Sequence, residues 1–297
     1  MASRQYHELM EAIPDAGVDA SDPIDLVREK MHAIHPTTAS PGTIIEAADL
    51  EGIEARWIYT PENKNSERVI LHVHGGAFVS TIIDHYLSYG EHMSRHMEAK
   101  VVCFQWTWAD QAPYPQAMND TVTAYKALLA LGIAPEKIIF AGDSCGGGIA
   151  LAALCSLRES GEPLPAGLVG LTPWLDAEQT GDAAMNPRGR DPFVTADWIR
   201  ARFRDYAGPE GKLKDPGISP FHAKLSGLPP MYLSVGQIDT SADDSTRLAL
   251  RASQEGASVV VDVAAEMIHG YIGLCGAFPE ATQAMERIAS WVKQRIP

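Results

Sequence analysis

The stretch Lys137-Ile138-Ile139-Phe140-Ala141-Gly142-Asp143-Ser144-Cys145-Gly146-Gly147-Gly148-Ile149-Ala150-Leu151-Ala152-Ala153-Leu154-Cys155-Ser156-Leu157 decides how the chain reads. Its first five residues form a short run, apolar after Lys137 and with β-branched Ile138 and Ile139, as in a buried strand. From Ile149 to Leu157 the composition is that of a helix. Between them, Gly142-Asp143-Ser144-Cys145-Gly146 forms a G-x-S-x-G element at the strand-to-helix junction. A serine on so sharp a turn has its hydroxyl exposed, and flanking glycines let the backbone turn that tightly. The helix that follows aims free N–H groups and its positive dipole end at charge developing nearby. Ser144 is therefore the candidate nucleophile.

Further runs of the same kind lie on either side: Val69 to Val73, Lys100 to Phe104, Met231 to Val235 and Ser258 to Val263. Helical stretches separate them, at Asp120 to Leu131, Gly148 to Arg158 and Ser241 to Glu255, and Ala281 to Arg295 closes the chain as an amphipathic helix. The alternation predicts an α/β fold with a mainly parallel, doubly wound sheet. Residues 1 to about 45 and about 176–222 break it and are the expected helical cap, with residues 46–297 otherwise forming the core. In the first segment, Asp22 precedes a helix that sets Ile24, Val27, Met31 and Ile34 on one face, so Val27 and Met31 are candidate pocket residues.

His74-Gly75-Gly76-Ala77-Phe78 follows the earlier strand. Acyl transfer needs backbone donors aimed at an oxyanion, and glycines let the chain come close enough to supply them. Gly75, Gly76 and Ala77, with Cys145 after the serine, are the candidate donors. A nucleophile on such an elbow is followed by its acid and then its base. Asp239, just after Met231 to Gly236, and His269, in Glu266-Met267-Ile268-His269-Gly270-Tyr271, fill that order. Asp243 and Asp244 compete from the following helix and Asp262 from within a strand. His72 and His74 flank a strand end and are expected to hold the Gly-Gly loop. His92 and His96 have the helical spacing of two metal ligands, but the glutamate of H-E-x-x-H is missing and no third ligand is evident in the sequence, so they read as a solvated helix face.

The formal charge of -14 and the absence of a Lys/Arg cluster argue against nucleic acid or an anionic membrane surface as partner. Cys103, Cys145, Cys155 and Cys275 contain no CxxC pair, and the N-terminus lacks a cationic start followed by an apolar run. A reduced, cytoplasmic protein without a membrane span is expected.

These motifs resemble those of the hormone-sensitive-lipase-like esterases of the α/β-hydrolase superfamily, which carry an H-G-G-G loop and a G-D-S-A-G elbow. Thr172-Pro173-Trp174-Leu175-Asp176, Asp191-Pro192, Ile218-Ser219-Pro220-Phe221, Gly227-Leu228-Pro229-Pro230 and His269-Gly270-Tyr271 resemble further landmarks of that family, in order. The resemblance implies a capped α/β-hydrolase fold, no cofactor, and a Ser144, Asp239, His269 triad acting on small to medium apolar esters. Lactones, as cyclic esters, are the alternative substrate, and a non-catalytic receptor on the same scaffold a remote one. A homodimer is left open. Three positions depart from the family. Ala77 replaces a third glycine and keeps its N–H, provided φ stays negative. Cys145 replaces an alanine. Trp106-Thr107-Trp108-Ala109-Asp110-Gln111 stands where Tyr-Arg-Leu-Ala-Pro-Glu is usual, which adds Trp106 and Trp108, with Phe78, to the candidate pocket residues.

Overall fold

The structure, a computed structural model, describes residues 1–12, 17–186 and 191–297. Parts of both expected cap segments, residues 13–16 and 187–190, lie outside the described residues. Among the described residues, eight strands form one sheet: β1 (Ile44–Asp49), β2 (Glu54–Tyr59), β3 (Val69–Val73), β4 (Lys100–Phe104), β5 (Ile138–Asp143), β6 (Gly167–Leu171), β7 (Met231–Gly236) and β8 (Val259–Ala264). Their order is β1-β2-β4-β3-β5-β6-β7-β8. Only β2 runs against the rest: it pairs antiparallel with β1 and β4, and every pair from β4 through β8 is parallel.

The helices are α1 (Arg4–Ala12), α2 (Ile24–Ile34), α3 (Leu87–Met97), α4 (Gln116–Ala130), α5 (Cys145–Glu159), α6 (Asp182–Met185), α7 (Ala196–Ala207), α8 (Ala242–Gln254) and α9 (Pro279–Arg295). They cover both faces of the sheet. Val69, Leu71 and Val73 of β3 pack into one buried cluster with residues of α2, α4, α5, α7 and α8. Ile70 belongs to the opposite cluster, with α1, α3 and α9. All five residues of β3 are buried, which is why the strand reads as a continuous apolar run. Each aliphatic side chain fully buried in this way contributes about 1.5–3 kcal/mol.

The predicted parallel strands are all present, and three further strands join them. β6, Gly-Leu-Val-Gly-Leu, carries two glycines because its neighbours come close: a Cβ on Gly167 would meet the Trp291 ring and the Pro230 carbonyl, and one on Gly170 would meet Leu233 and Pro173. β1 and β2 form a hairpin closed by Glu51 and Gly52, both at positive φ, as a two-residue type I′ loop requires. Among the described residues, no helix is long and apolar enough to cross a membrane.

Candidate active site

β5 ends at Asp143 and α5 begins at Cys145, leaving Ser144 between them at φ 53°, ψ -128°. A non-glycine residue held there stores on the order of 1–3 kcal/mol of strain. Three backbone hydrogen bonds fix it: Ser144 N–H donates to Leu171 O at 3.0 Å, and Ser144 O accepts from Trp174 N–H at 3.0 Å and from Gly147 N–H at 3.1 Å. The flanking glycines are needed for space, not for unusual φ. A Cβ on Gly142 would press on the Gly146 carbonyl, and one on Gly146 would collide with the Val73 carbonyl.

The chain brings the three sequence-predicted residues together. With Nδ1 protonated, His269 donates to Asp239 Oδ2 at 2.9 Å, and its Nε2 accepts from Ser144 Oγ at 2.9 Å. Asp239 is fully buried, and its Oδ1 accepts from both Ser241 N–H (2.8 Å) and Ser241 Oγ (2.9 Å). Burial disfavours the imidazolium of His269, but the carboxylates of Asp239, Asp191 and Asp143 outweigh it and leave its pKa above the ordinary histidine value. The competing acids are occupied elsewhere. Asp244 accepts from Leu175 and Asp176 N–H, Asp243 from Ala183 N–H, and Asp262 pairs with Arg287.

The loop after β3 is tied to the elbow by Asp143. Its Oδ1 accepts from Gly75 N–H (3.1 Å) and lies 2.8 Å from His72 Nε2, while Oδ2 accepts from Tyr86 OH. Gly75 N–H is thus committed, and the sequence-predicted donor set narrows. Neither Gly76 nor Cys145 has a backbone N–H that donates within the described residues, whereas that of Ala77 lies against the Cys145 thiol. Ala77 adopts φ 52° and Phe78 φ 66°. The proviso of negative φ at Ala77 is not met: the loop needs a left-handed residue there, where a Cβ costs roughly 1–2 kcal/mol. The N–H itself remains. Phe78 N–H donates to Cys145 Sγ at 3.3 Å, so this buried thiol serves as an acceptor that anchors the loop. Burial pushes His74 down to about 4, and its neutral ring, 2.8 Å from Gly75 O and 3.1 Å from Thr81 Oγ1, braces the loop as expected.

The candidate pocket residues divide. Trp106, Phe78 and Val27 are at most 1% exposed, so they stand behind any substrate surface. Trp106 stacks on His74 with centroids 4.8 Å apart and donates to His74 O. Phe78 stacks on Tyr206 of α7 at 4.2 Å. Trp108 and Met31 remain partly exposed. α2 docks directly on the loop: Arg28 Nε donates to Val79 O (2.7 Å), His32 Nε2 lies 2.8 Å from Ser80 O, and the Arg28 guanidinium lies 4.1 Å from the Trp108 ring centroid. α1 goes elsewhere. Tyr6 packs on Phe278 and donates to Glu266 O, on the opposite face of the sheet.

Besides Asp143, two further contributors had no role assigned from the sequence. Asp191 accepts the His269 backbone N–H through Oδ2 and those of Phe193 and Val194 through Oδ1, while its own N–H donates to Ile238 O. It therefore joins the loops that carry Asp239 and His269. The ring of Trp174 lies 5.7 Å from that of His269, and its buried Nε1 has no partner among the described residues. Both lie in stretches that resemble the family's landmarks, which was the only available signal.

Residues 70–273 match a family described by the alpha/beta hydrolase fold. An acetyl-hydrolase of Streptomyces hygroscopicus is 31% identical over 240 residues, covering 80% of this chain and 79% of that protein. An esterase of Acinetobacter venetianus is 30% identical over 227 residues, covering 76% and 75%. Among solved structures, an esterase from the bacterial hormone-sensitive lipase family superposes with a TM-score of 0.92 at 31% identity, with 100% of each chain covered. An esterase/lipase from an uncultured bacterium gives 0.91 at 29% identity, with 99% of each covered. With a match across well over half its length and a serine on a strand-elbow-helix turn, this chain belongs to the hormone-sensitive-lipase-like carboxylesterases of the α/β-hydrolase superfamily.

Proposed function

We propose that this carboxylic-ester hydrolase works through an acyl-enzyme on Ser144, with His269 carrying the proton and Asp239 holding His269. The observation that carries this reading is the unbroken Ser144 Oγ, His269 Nε2, His269 Nδ1, Asp239 Oδ2 sequence, with 2.9 Å at each hydrogen bond. Ser144 Oγ attacks the ester carbonyl carbon as its proton passes to His269 Nε2. The negative oxygen is held by N–H groups of Gly76, Ala77 and Cys145 at the N-terminal end of α5. The carbon–alkoxy bond then breaks, and the departing alcohol takes the proton from Nε2. Water repeats the sequence on the acyl-enzyme, restoring Ser144 and releasing the acid.

α2, docked on the 78–81 loop, and α7, stacked on Phe78, form the cap in this reading, while α1 clasps the far face. A panel of nitrophenyl esters from acetate to bulky acyl chains, together with apolar lactones, tests function and cap at once. Acetate and butyrate esters are expected to turn over with a burst of nitrophenol. Removing residues 1–35 is expected to reduce turnover of the bulky esters more than that of acetate, because a large acyl group needs walls as well as the triad. An absence of ester turnover defeats the functional reading, and an unchanged chain-length preference in the folded truncated chain defeats the cap. Lactone turnover matching that of the linear esters would place cyclic esters among the substrates. The unpaired cysteines, all buried, support a reducing compartment, and cell fractionation and size-exclusion chromatography test the cytoplasmic and dimeric expectations.

The working form of His269 is neutral, and its pKa lies above the ordinary value of about 6.5. The acid limb of kcat/KM is accordingly expected to have its midpoint above that pH, with activity rising as pH rises through it. Asp191→Asn keeps an oxygen for the His269 N–H but removes a nearby negative charge, so the midpoint moves to lower pH. A limb that stays in place in that variant contradicts the assignment of Asp191 as a source of the shift.

A further inference from the structure

His92 and His96 sit one helical turn apart on α3, and Cys275 directly follows the short 3-10 turn Tyr271–Leu274. The fold brings these residues, distant in sequence, to one point on the sheet face covered by α3 and α9. One ligand atom from each lies within 4.8 Å of the others. His96 Nε2 and Cys275 Sγ are 3.7 Å apart. A tetrahedral zinc with its usual Zn–S and Zn–N lengths separates two such ligands by roughly 3.6 Å. The surroundings also fit an ion. Cys275 is 5% exposed, and the buried Nδ1 of His92 has no hydrogen-bond partner among the described residues. Beside the cluster, a cleft of about 410 Å³ is lined by His96 and Glu286, giving a way in from solvent. Lys293, on the same cleft, is already paired with Glu98 at 3.0 Å. The ester chemistry uses none of these groups.

We propose that His92, His96 and Cys275 bind one zinc-class divalent ion, with water completing a tetrahedral set. Two imidazoles and a thiolate are a borderline-soft donor set, suited to Zn²⁺ or Co²⁺ and poor for Mg²⁺ or Ca²⁺. Binding displaces the thiol proton to solvent as the sulfur–metal bond forms. The ion pins the segment after His269 to α3. Cys275 follows His269 closely, and Tyr271 OH, 3.1 Å from Ser234 Oγ, already holds the residues between. A consequence for turnover rests on His269 being the base, whereas the binding itself does not.

The test uses the full chain, freed of metal by a chelator and then titrated with Co²⁺ and Zn²⁺ without substrate. One Co²⁺ per chain is expected, with the near-ultraviolet charge-transfer absorption of a cobalt–thiolate bond, displaced by Zn²⁺, and with Tm raised by either ion. His96→Gln and Cys275→Ser are each expected to weaken Zn²⁺ binding by at least about tenfold, and Cys275→Ser to abolish the thiolate band. His92→Gln, at a partly exposed position, supplies the same readout if Cys275→Ser does not fold. His269→Gln should bind Zn²⁺ as the parent does. A chain that shows no thiolate band, or keeps its Zn²⁺ affinity in all three ligand variants, overturns the site and leaves only a thiol-to-imidazole hydrogen bond.

Discussion

Alanine at Ser144 is expected to lower kcat for nitrophenyl acetate by roughly a millionfold, to the level the oxyanion donors and binding supply unaided. The hydroxyl makes one side-chain hydrogen bond, to His269 Nε2, while the elbow is held by the backbone of Ser144 to Leu171 and Trp174. Alanine keeps those backbone bonds and faces the same positive φ, so Tm should change little. The burst of nitrophenol is expected to vanish with the steady state, since no acyl-enzyme can form. Turnover within tenfold of the parent, in a folded variant, would falsify the assignment of Ser144.

The elbow was legible because two periodicities and two glycines agree on one spot: the buried run of β5, the helical pattern of α5, and Gly142 and Gly146 between them. Chain order and placement after strands pointed to Asp239 and His269, the two residues that the fold sets beside Ser144. Where the reading fell short, the cause lay in contacts from distant residues. Gly167 and Gly170 weaken the strand pattern of β6 because Trp291 and Leu233 leave no room for a Cβ. Nothing local in Asp191-Pro192 says that its carboxylate will receive the His269 N–H. Likewise, the helical spacing of His92 and His96 gives no sign that the turn after Tyr271 sets Cys275 beside them.

The donor loop shows the limit in finer detail. Gly75, Gly76 and Ala77 are alike as carriers of an N–H group, but Asp143 takes the first of these donors. The departure at Ala77 was visible, yet its left-handed φ is imposed by the path from β3 to Thr81 and cannot be read from the residue type. The position of Cys145 after the serine points to its backbone N–H and says nothing of its side chain. Its sulfur in fact receives Phe78 N–H, a role that the family's usual alanine has no atom to perform.

Asp239→Asn is expected to cut kcat by roughly ten-thousandfold near neutral pH, and the surroundings of the carboxylate give the reason. Asp239 Oδ1 accepts from both Ser241 N–H and Ser241 Oγ, whereas Oδ2 faces His269 Nδ1. An asparagine satisfies Ser241 N–H only by placing its carbonyl oxygen at Oδ1, which turns its NH₂ toward His269. Nδ1 must then accept, and the ring proton moves to Nε2, the atom that has to take the proton of Ser144. The variant is thus folded but locked in the wrong tautomer, so its loss should appear in kcat more than in KM. Asp243→Asn and Asp244→Asn provide the contrast. Those side chains bind N–H groups of the 175–183 segment, and burial holds the Asp244 carboxyl well above the usual carboxylate range. Their replacement is expected to lower Tm while leaving kcat within about tenfold of the parent. A collapse of kcat in either, with Asp239→Asn near normal, would transfer the role of acid to that residue and leave the 2.9 Å contact at His269 Nδ1 without a catalytic purpose.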